Sequence, residues 1–320
     1  MMKIAFLGTP SFAVPSLEVL QESSVVEIVK VFCQPDRRAG RGRKLHISPV
    51  KEKANSLDLV LGQPEKINSK DIRDLELDLC VVVAYGQILS KKFLDVPKKG
   101  TINLHGSLLP RWRGAAPIQR AILHGDKESG VSIIRLIPEM DAGPILAEKK
   151  IEIDIRETTD TLYEKMSVVG AILLKETVEK LVNEKLSEKI QNNSKVTFAE
   201  KIHKDEAKIN WESSAIDIER KIRAFQSWPV AESNLQEGEN RLRIWDAFVV
   251  ESEKEMIASP GTYLGVAKCE LGRGLRVRTG ENDLLLLKVQ LSGKKIVDAV
   301  DFLKGSPLAH GSKFINIEDS

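Results

Sequence analysis

The sequence predicts an α/β domain with a largely parallel sheet, followed by a smaller β-rich domain. Three observations carry this reading. Short runs rich in Val and Ile alternate with amphipathic stretches over the first 190 residues, the pattern of strands joined through helices. The run Leu79–Ala84 is apolar without interruption, as a strand covered on both faces must be. Beyond Trp211 the texture changes to one helix and then short strands between turn signals, which suits a small barrel or sandwich. A length of 320 residues agrees, since one domain commonly takes ~100–200.

Taken in order, Lys3–Leu7 reads as the first strand, followed by Gly8-Thr9-Pro10 and an amphipathic helix over Ala13–Gln21. Val25–Cys33, Thr101–His105 and Val131–Ile137 read as further strands. Residues Thr158–Glu184 carry helical periodicity with Glu and Lys on the polar face. The stretch Lys185–Asp205 is polar and holds the expected linker, 190–208, although part of it can cross one face as an ordered strand. The expected domains are therefore 1–189 and 209–320. In the second, a helix over Ala215–Phe225 ends at Trp228-Pro229, and strands follow at Arg241–Val249, Gly261–Val266, Gly274–Arg278 and Asp283–Leu291.

Composition excludes several classes. With 42% hydrophobic and 29% charged residues the chain is neither disordered nor fibrous. No apolar run reaches the ~18 residues that span a bilayer, so no membrane partner is expected. Cys33, Cys80 and Cys269 are far apart and odd in number, which fits neither a zinc site nor a disulfide framework. The expectation is a reduced, soluble, cytoplasmic protein without a metal. Gly8 alone does not complete the G-x-G-x-x-G fingerprint, and Gly40-Arg41-Gly42 lacks its third glycine, so NAD is not expected.

A net charge of +2 speaks at first against a nucleic-acid partner. The charge is concentrated, however. Residues 209–320 hold 15 Lys and Arg against 17 Asp and Glu, a net of −2, so the preceding 208 residues carry +4. Arg37, Arg38, Arg41, Arg43 and Lys44 stand together against the single acid Asp36. Two glycines and a proline make a regular element unexpected in this segment. Such a loop can be merely solvated, but four arginines at this density suit the forked recognition of phosphate along an RNA backbone.

The richest stretch runs from Thr101 to Gln119. Along a strand i and i+2 face the same way, so Asn103 and His105 point together from the C-terminal end of one strand, the edge where open α/β sheets bind ligands. An amide donor and an imidazole converging on one oxygen would polarise a carbonyl. A carboxylate is then needed to orient the imidazole or to take a proton. Asp141, in Met140-Asp141-Ala142-Gly143-Pro144 just after a strand, is the candidate. Parallel strands would bring its end to the same edge. A turn Asp beside Gly and Pro is the plainer alternative. The other four histidines, His46, His124, His203 and His310, have no partner spacing.

With these segments in view, the chain resembles the methionyl-tRNA formyltransferase family over nearly its whole length. The resemblance rests on Asn103 through Gln119, on Asp141-Ala142-Gly143, on Phe6-Leu7-Gly8-Thr9-Pro10, on Gln34-Pro35-Asp36-Arg37 through Lys44, on Val82-Val83-Ala84-Tyr85-Gly86 and on Ile222-Arg223-Ala224-Phe225. It implies a Rossmann-like formyltransferase domain followed by an OB-like β-barrel, and formyl transfer from 10-formyltetrahydrofolate to the α-amine of initiator methionyl-tRNA. By the same resemblance Asn103, His105 and Asp141 are the catalytic trio. Ser107, Leu108, Leu109 and Pro110 line the folate site with Tyr85 and Gly86 close by, and Arg37–Lys44 is the mobile loop that approaches the tRNA. A monomer without metal is implied. Departures fall in the second domain, at Gln226-Ser227 before Trp228-Pro229 and at Leu291 before Ser292-Gly293-Lys294-Lys295.

Two rivals stand beside this reading. One is a folate-dependent formyltransferase or hydrolase acting on a small amine, which would need neither the basic loop nor the appended barrel. The other is a non-catalytic RNA-binding protein, against which the complete Asn103, His105 and Asp141 set argues.

Overall fold

A computed structural model describes residues 1–39, 44–183, 186–235, 241–253 and 257–317. The chain divides into two compact units. The first holds 1–117, 128–153 and 162–200; the second holds 118–127, 154–161 and 201–320.

The first unit is built on a seven-stranded sheet. Met2–Gly8, Val26–Phe32, Leu61–Gly62, Leu79–Val83 and Thr101–His105 all pair in parallel. Every residue of Leu79–Val83 is buried, as its unbroken apolar sequence requires of a strand covered on both faces. The helix Val14–Gln21 follows the first strand and buries Leu17 and Leu20. The core between sheet and helices gathers Leu7, Phe32, Ile72, Val82, Tyr85 and Phe93.

One sequence expectation about this sheet is corrected. Glu128–Arg135 runs antiparallel to Thr101–His105, with Arg135 opposite Ile102 and Ser132 opposite His105. The only helix between the two strands, Pro117–Leu123, has seven residues, about 10 Å. It is shorter than the ~16 Å of the strand it would have to retrace for a parallel return. The strand Ile145–Glu152 then completes the edge. It escaped the sequence reading because Glu148, Lys149 and Lys150 face solvent on an edge strand.

The long helix Thr159–Val182 leads into a segment that is tied to the first unit at three places. Lys189 and Ile145 exchange backbone hydrogen bonds at 2.8 and 2.9 Å. The side chain of Gln191 is buried beside Asp141. Phe198–Ala199 pairs in parallel with Arg113–Gly114.

In the second unit Ser214 caps the helix Ala215–Ala224, its hydroxyl accepting from Asp217 N at 3.2 Å. The helix turns Ala215, Ile218 and Ile222 inward. The strands Tyr263–Cys269, Gly272–Arg278, Asp283–Leu291, Arg241–Val250, Glu232–Leu235 and Phe314–Ile315 follow one another antiparallel in that order. The circuit nearly closes: Tyr263 N donates to Ser312 O and Phe314 N to Gly261 O, both at 2.8 Å. Trp211 lies in the interior with its indole N–H on Ser233 Oγ at 2.9 Å. This is the small barrel that alternating short strands predict.

Candidate active site

The strand Thr101–His105 carries Asn103 and His105 on one face at its C-terminal end. Asn103 is half-buried and lines a cavity of about 370 Å3. The walls are largely apolar, from Val82, Leu89, Leu94, Leu136, Ile137 and Met140, and Tyr85, Gly86 and Asp141 line it as well. Asp141 gets there by another route than the sequence suggested. Because Glu128–Arg135 is antiparallel, its end lies beside Ile102, and residues 136–141 carry the chain back along the cavity to His105.

His105 is buried, and its Nε2 lies 2.9 Å from the carbonyl of Trp112. A carbonyl can only accept, so Nε2 carries a hydrogen. Nδ1 is then the ring nitrogen that faces Asp141 Oδ2, at 3.6 Å. That separation is longer than a hydrogen bond, as such contacts often are before substrate closes them. The same Oδ2 accepts from the backbone N–H of Gly114 at 2.9 Å. The carboxylate is thus fixed by a main-chain donor on a short strand and aimed at the imidazole.

The turns that make this possible are unusual. Asp141 and Trp112 have φ of 48° and 65°, a region that residues other than glycine seldom enter. Gly114 has φ of 123°, and a Cβ there would lie 2.6 Å from Ala199 O. At Gly143 a Cβ would lie 1.8 Å from Arg135 O. The loop before Gly114 is braced as well: Trp112 N donates to Thr197 Oγ1 at 2.9 Å, Ser107 Oγ to Arg111 O at 2.7 Å, and Ser132 Oγ to Ser107 O at 2.7 Å.

Not every expected residue meets at the cavity. Ser107, Leu108, Leu109 and Pro110 are not among its lining residues; Leu109 packs instead with Ile134 and Ile145. Tyr85 is buried and its hydroxyl has no hydrogen-bond partner. Burial pushes that hydroxyl's pKa well up, so it stays a neutral phenol. Burial likewise raises the thiol of Cys33, and that of Cys80 to about 12, so neither is a nucleophile at neutral pH. Among the described residues no cluster of three His, Cys, Asp or Glu side chains could hold a metal ion.

The basic segment is partly regular, against expectation. Arg37–Ala39 pairs antiparallel with Lys44–His46, Arg37 facing His46 and Arg38 facing Leu45. Arg37 is exposed. Arg41 and Arg43 lie outside the described residues, and so do the side chains of Arg38 and Lys44. At the root of this hairpin Asp36 accepts from Lys51 Nζ at 2.5 Å and from Gln63 Nε2 at 2.9 Å. These bonds hold its carboxyl below the usual range. Pairing of the two arms overrides the Gly and Pro that spoke against a regular element.

Sequence reasoning missed the parts of the site that are main chain or come from afar: the Trp112 carbonyl, the Gly114 N–H, Arg113 and Gln191. Gly114 and Gly143 were the available signal, since both stand where a Cβ does not fit.

Residues 2–178 match the model of a family described as formyl transferase, and residues 201–307 match that of its C-terminal domain. A methionyl-tRNA formyltransferase from Methylococcus capsulatus is 45% identical over 312 residues, covering 96% of this chain and 98% of the relative. One from Hydrogenovibrio crunogenus is 42% identical over 311 residues, covering 96% and 97%. Among solved structures, an N-formyltransferase from Helicobacter canadensis, in complex with folinic acid and dTDP-3-aminofucose, shares the fold with a TM-score of 0.66 at 20% identity. The alignment covers 89% of this chain and 99% of that one.

Proposed function

The chain belongs to the methionyl-tRNA formyltransferase family, and from that membership we propose how its residues transfer a formyl group from 10-formyltetrahydrofolate to the α-amine of initiator methionyl-tRNA. The observation that carries the proposal is that Asn103 and Asp141 line one apolar cavity and that the buried His105 lies against Asp141. Leu89, Leu94, Ile137 and Met140 suit the faces of a flat heterocycle, and main chain at 84–86 and 137–140 suits its polar edge. The folate, when bound, supplies the formyl group on its N10.

Asn103 donates its amide N–H to the formyl oxygen, where negative charge develops as the amine attacks the formyl carbon. His105, doubly protonated, keeps Nε2–H on Trp112 O and presents Nδ1–H between the same oxygen and Asp141. Asp141 stabilises that imidazolium, takes, through water, the proton the amine loses, and returns it by the same water to N10 of the folate as the bond between N10 and the formyl carbon breaks, so that tetrahydrofolate leaves. Gly114 N–H keeps the carboxylate in place while this happens. The low polarity of the cavity strengthens each of these interactions.

The concentration of Arg37, Arg38, Arg41, Arg43 and Lys44 supports a role for this hairpin against the phosphates of the tRNA acceptor arm. The appended barrel, with its net charge of −2 over 209–320, would contribute through a local positive face rather than through its total charge.

The test is a formyl-transfer assay with 10-formyltetrahydrofolate and either charged initiator tRNA or small amines. The expected result is transfer to methionyl-tRNA at a kcat/KM far above that for any small amine. Equal or better transfer to a small amine would overturn the proposal.

A further inference from the structure

We propose that Gln191 is a positioning residue for the transfer, locking the backbone of Asp141 to the Arg113–Gly114 turn so that the carboxylate stays at its working place. The inference rests on the reading of Asp141 as the proton acceptor and adds a residue from the polar segment after the long helix.

Gln191 is 5% exposed, and its carboxamide is fully used. Nε2 donates to Asp141 O at 2.8 Å and to Gly143 O at 2.7 Å. Oε1 accepts from Arg113 Nε at 3.0 Å and from Arg113 Nη2 at 2.8 Å. Two donors and two acceptor sites are all that such a group has. Arg113 is itself buried, with Asn193 Oδ1 as a weaker second acceptor at 3.4 Å. The residue after it, Gly114, holds Asp141 Oδ2. A closed ring results: Gln191 grips the main chain of Asp141 on one side. On the other side it grips the neighbour of the group that grips the Asp141 carboxylate.

Two features make the ring matter for chemistry. Asp141 sits at φ 48°, a conformation that surroundings must impose on a residue with a side chain. Its contact with His105 is already long at 3.6 Å, so a small drift of the turn uncouples the two. Gln191 is not among the residues lining the cavity and acts only through Asp141. No other side-chain type reproduces the pattern. Glutamate would set an oxygen against two carbonyl oxygens, and methionine fills the volume without bonding.

The experiment uses the full chain with Gln191→Met, Gln191→Glu, Asp141→Ala and the double variant Asp141→Ala/Gln191→Met, in single-turnover and steady-state formyl transfer, with thermal melting as a check of folding. Misplacement of a reacting group by about 1 Å costs ~100-fold. The expected result is therefore a ~30- to 100-fold fall in kcat for both Gln191 variants. KM for folate and tRNA should stay within about 3-fold. The double variant should be no slower than Asp141→Ala alone, since groups acting through one another are not additive. If Asp141→Ala is inactive while Gln191→Met turns over like the parent, the inference falls and the reading of the site stands. If Asp141→Ala is fully active, the reading falls and takes the inference with it. If both Gln191 variants unfold, or raise KM at unchanged kcat, the residue is structural and the proposal is overturned.

Discussion

Gly114→Ala tests the design of the site most directly, because it alters no side chain that meets substrate. The new Cβ would sit 2.6 Å from Ala199 O and 3.2 Å from Ala199 C. Relief to an ordinary 3.4 Å contact requires the turn to move by about 0.8 Å, the difference of 3.4 and 2.6. Movement away from Ala199 also weakens the bonds that Ala115 N and Ala116 N make to that carbonyl, at 2.8 and 3.2 Å. If the shift falls along the Gly114 N to Asp141 Oδ2 bond, 2.9 Å becomes about 3.7 Å, and the bond is lost. A hydrogen bond to a charged group contributes ~2 kcal/mol, which corresponds to a ~30-fold fall in turnover. The backbone conformation, φ 123°, adds ~1–3 kcal/mol of strain to the folded state. The assay is single-turnover formyl transfer at saturating folate and tRNA, with a circular-dichroism melt on the same sample. A folded Gly114→Ala enzyme within about 3-fold of the parent rate would refute the idea that the main-chain donor holds Asp141.

Other outcomes follow from the same geometry. His105→Ala and Asn103→Ala should each lower kcat by ~100-fold or more with tRNA binding nearly intact, as for loss of one oxyanion donor; filter binding alongside turnover checks this. Arg41→Ala should weaken tRNA binding and reduce the slope of log K against log salt by about one, read by binding titrations at several ionic strengths. Asp78 ties down the start of the first strand, accepting from Lys3 N at 2.8 Å and from Lys98 Nζ at 3.1 Å, and the Lys3 backbone bond above all holds its carboxyl below the usual range. Its contribution is therefore fully present above the ordinary carboxylate pKa of ~4 and is lost as pH falls through the depressed folded value. Asp78→Asn should melt below the parent at pH 7, and the gap should close on acidification below pH ~4.

How far the sequence reached can be judged residue by residue. Asn103 and His105 were legible because a strand's period of two needs nothing beyond the chain itself. Leu79–Val83 was legible because burial on both faces leaves an apolar run. Asp141 was found through an incorrect route: the parallel return assumed for its strand does not occur, and the loop over 136–141 makes up the distance. Strand direction is decided by what the intervening chain can span, and an edge strand such as Ile145–Glu152, with three successive exposed charged residues, gives no alternation to read. The Arg37–His46 hairpin shows the converse, a regular pairing where Gly and Pro argued for none.

What stayed invisible has a common physical character. Trp112 O, which accepts from His105 Nε2 and orients the ring, and Gly114 N, which fixes Asp141, are main-chain groups and carry no residue signature. Gln191 lies 50 residues from Asp141 along the chain and in a stretch whose composition reads as solvated. In the proposed mechanism these are the groups that hold His105 and Asp141 in place. Asp141 must, in that mechanism, hold its distance to the imidazole within fractions of an ångström, and it sits in the loop 136–144 between two strands. The segment 189–199 supplies the missing constraint by lacing across Ile145, Asp141 and Gly114 in turn. Under the proposed mechanism the segment 189–199 serves to position the site of the first unit. A substitution there that spares folding should then be felt in turnover before it is felt in affinity.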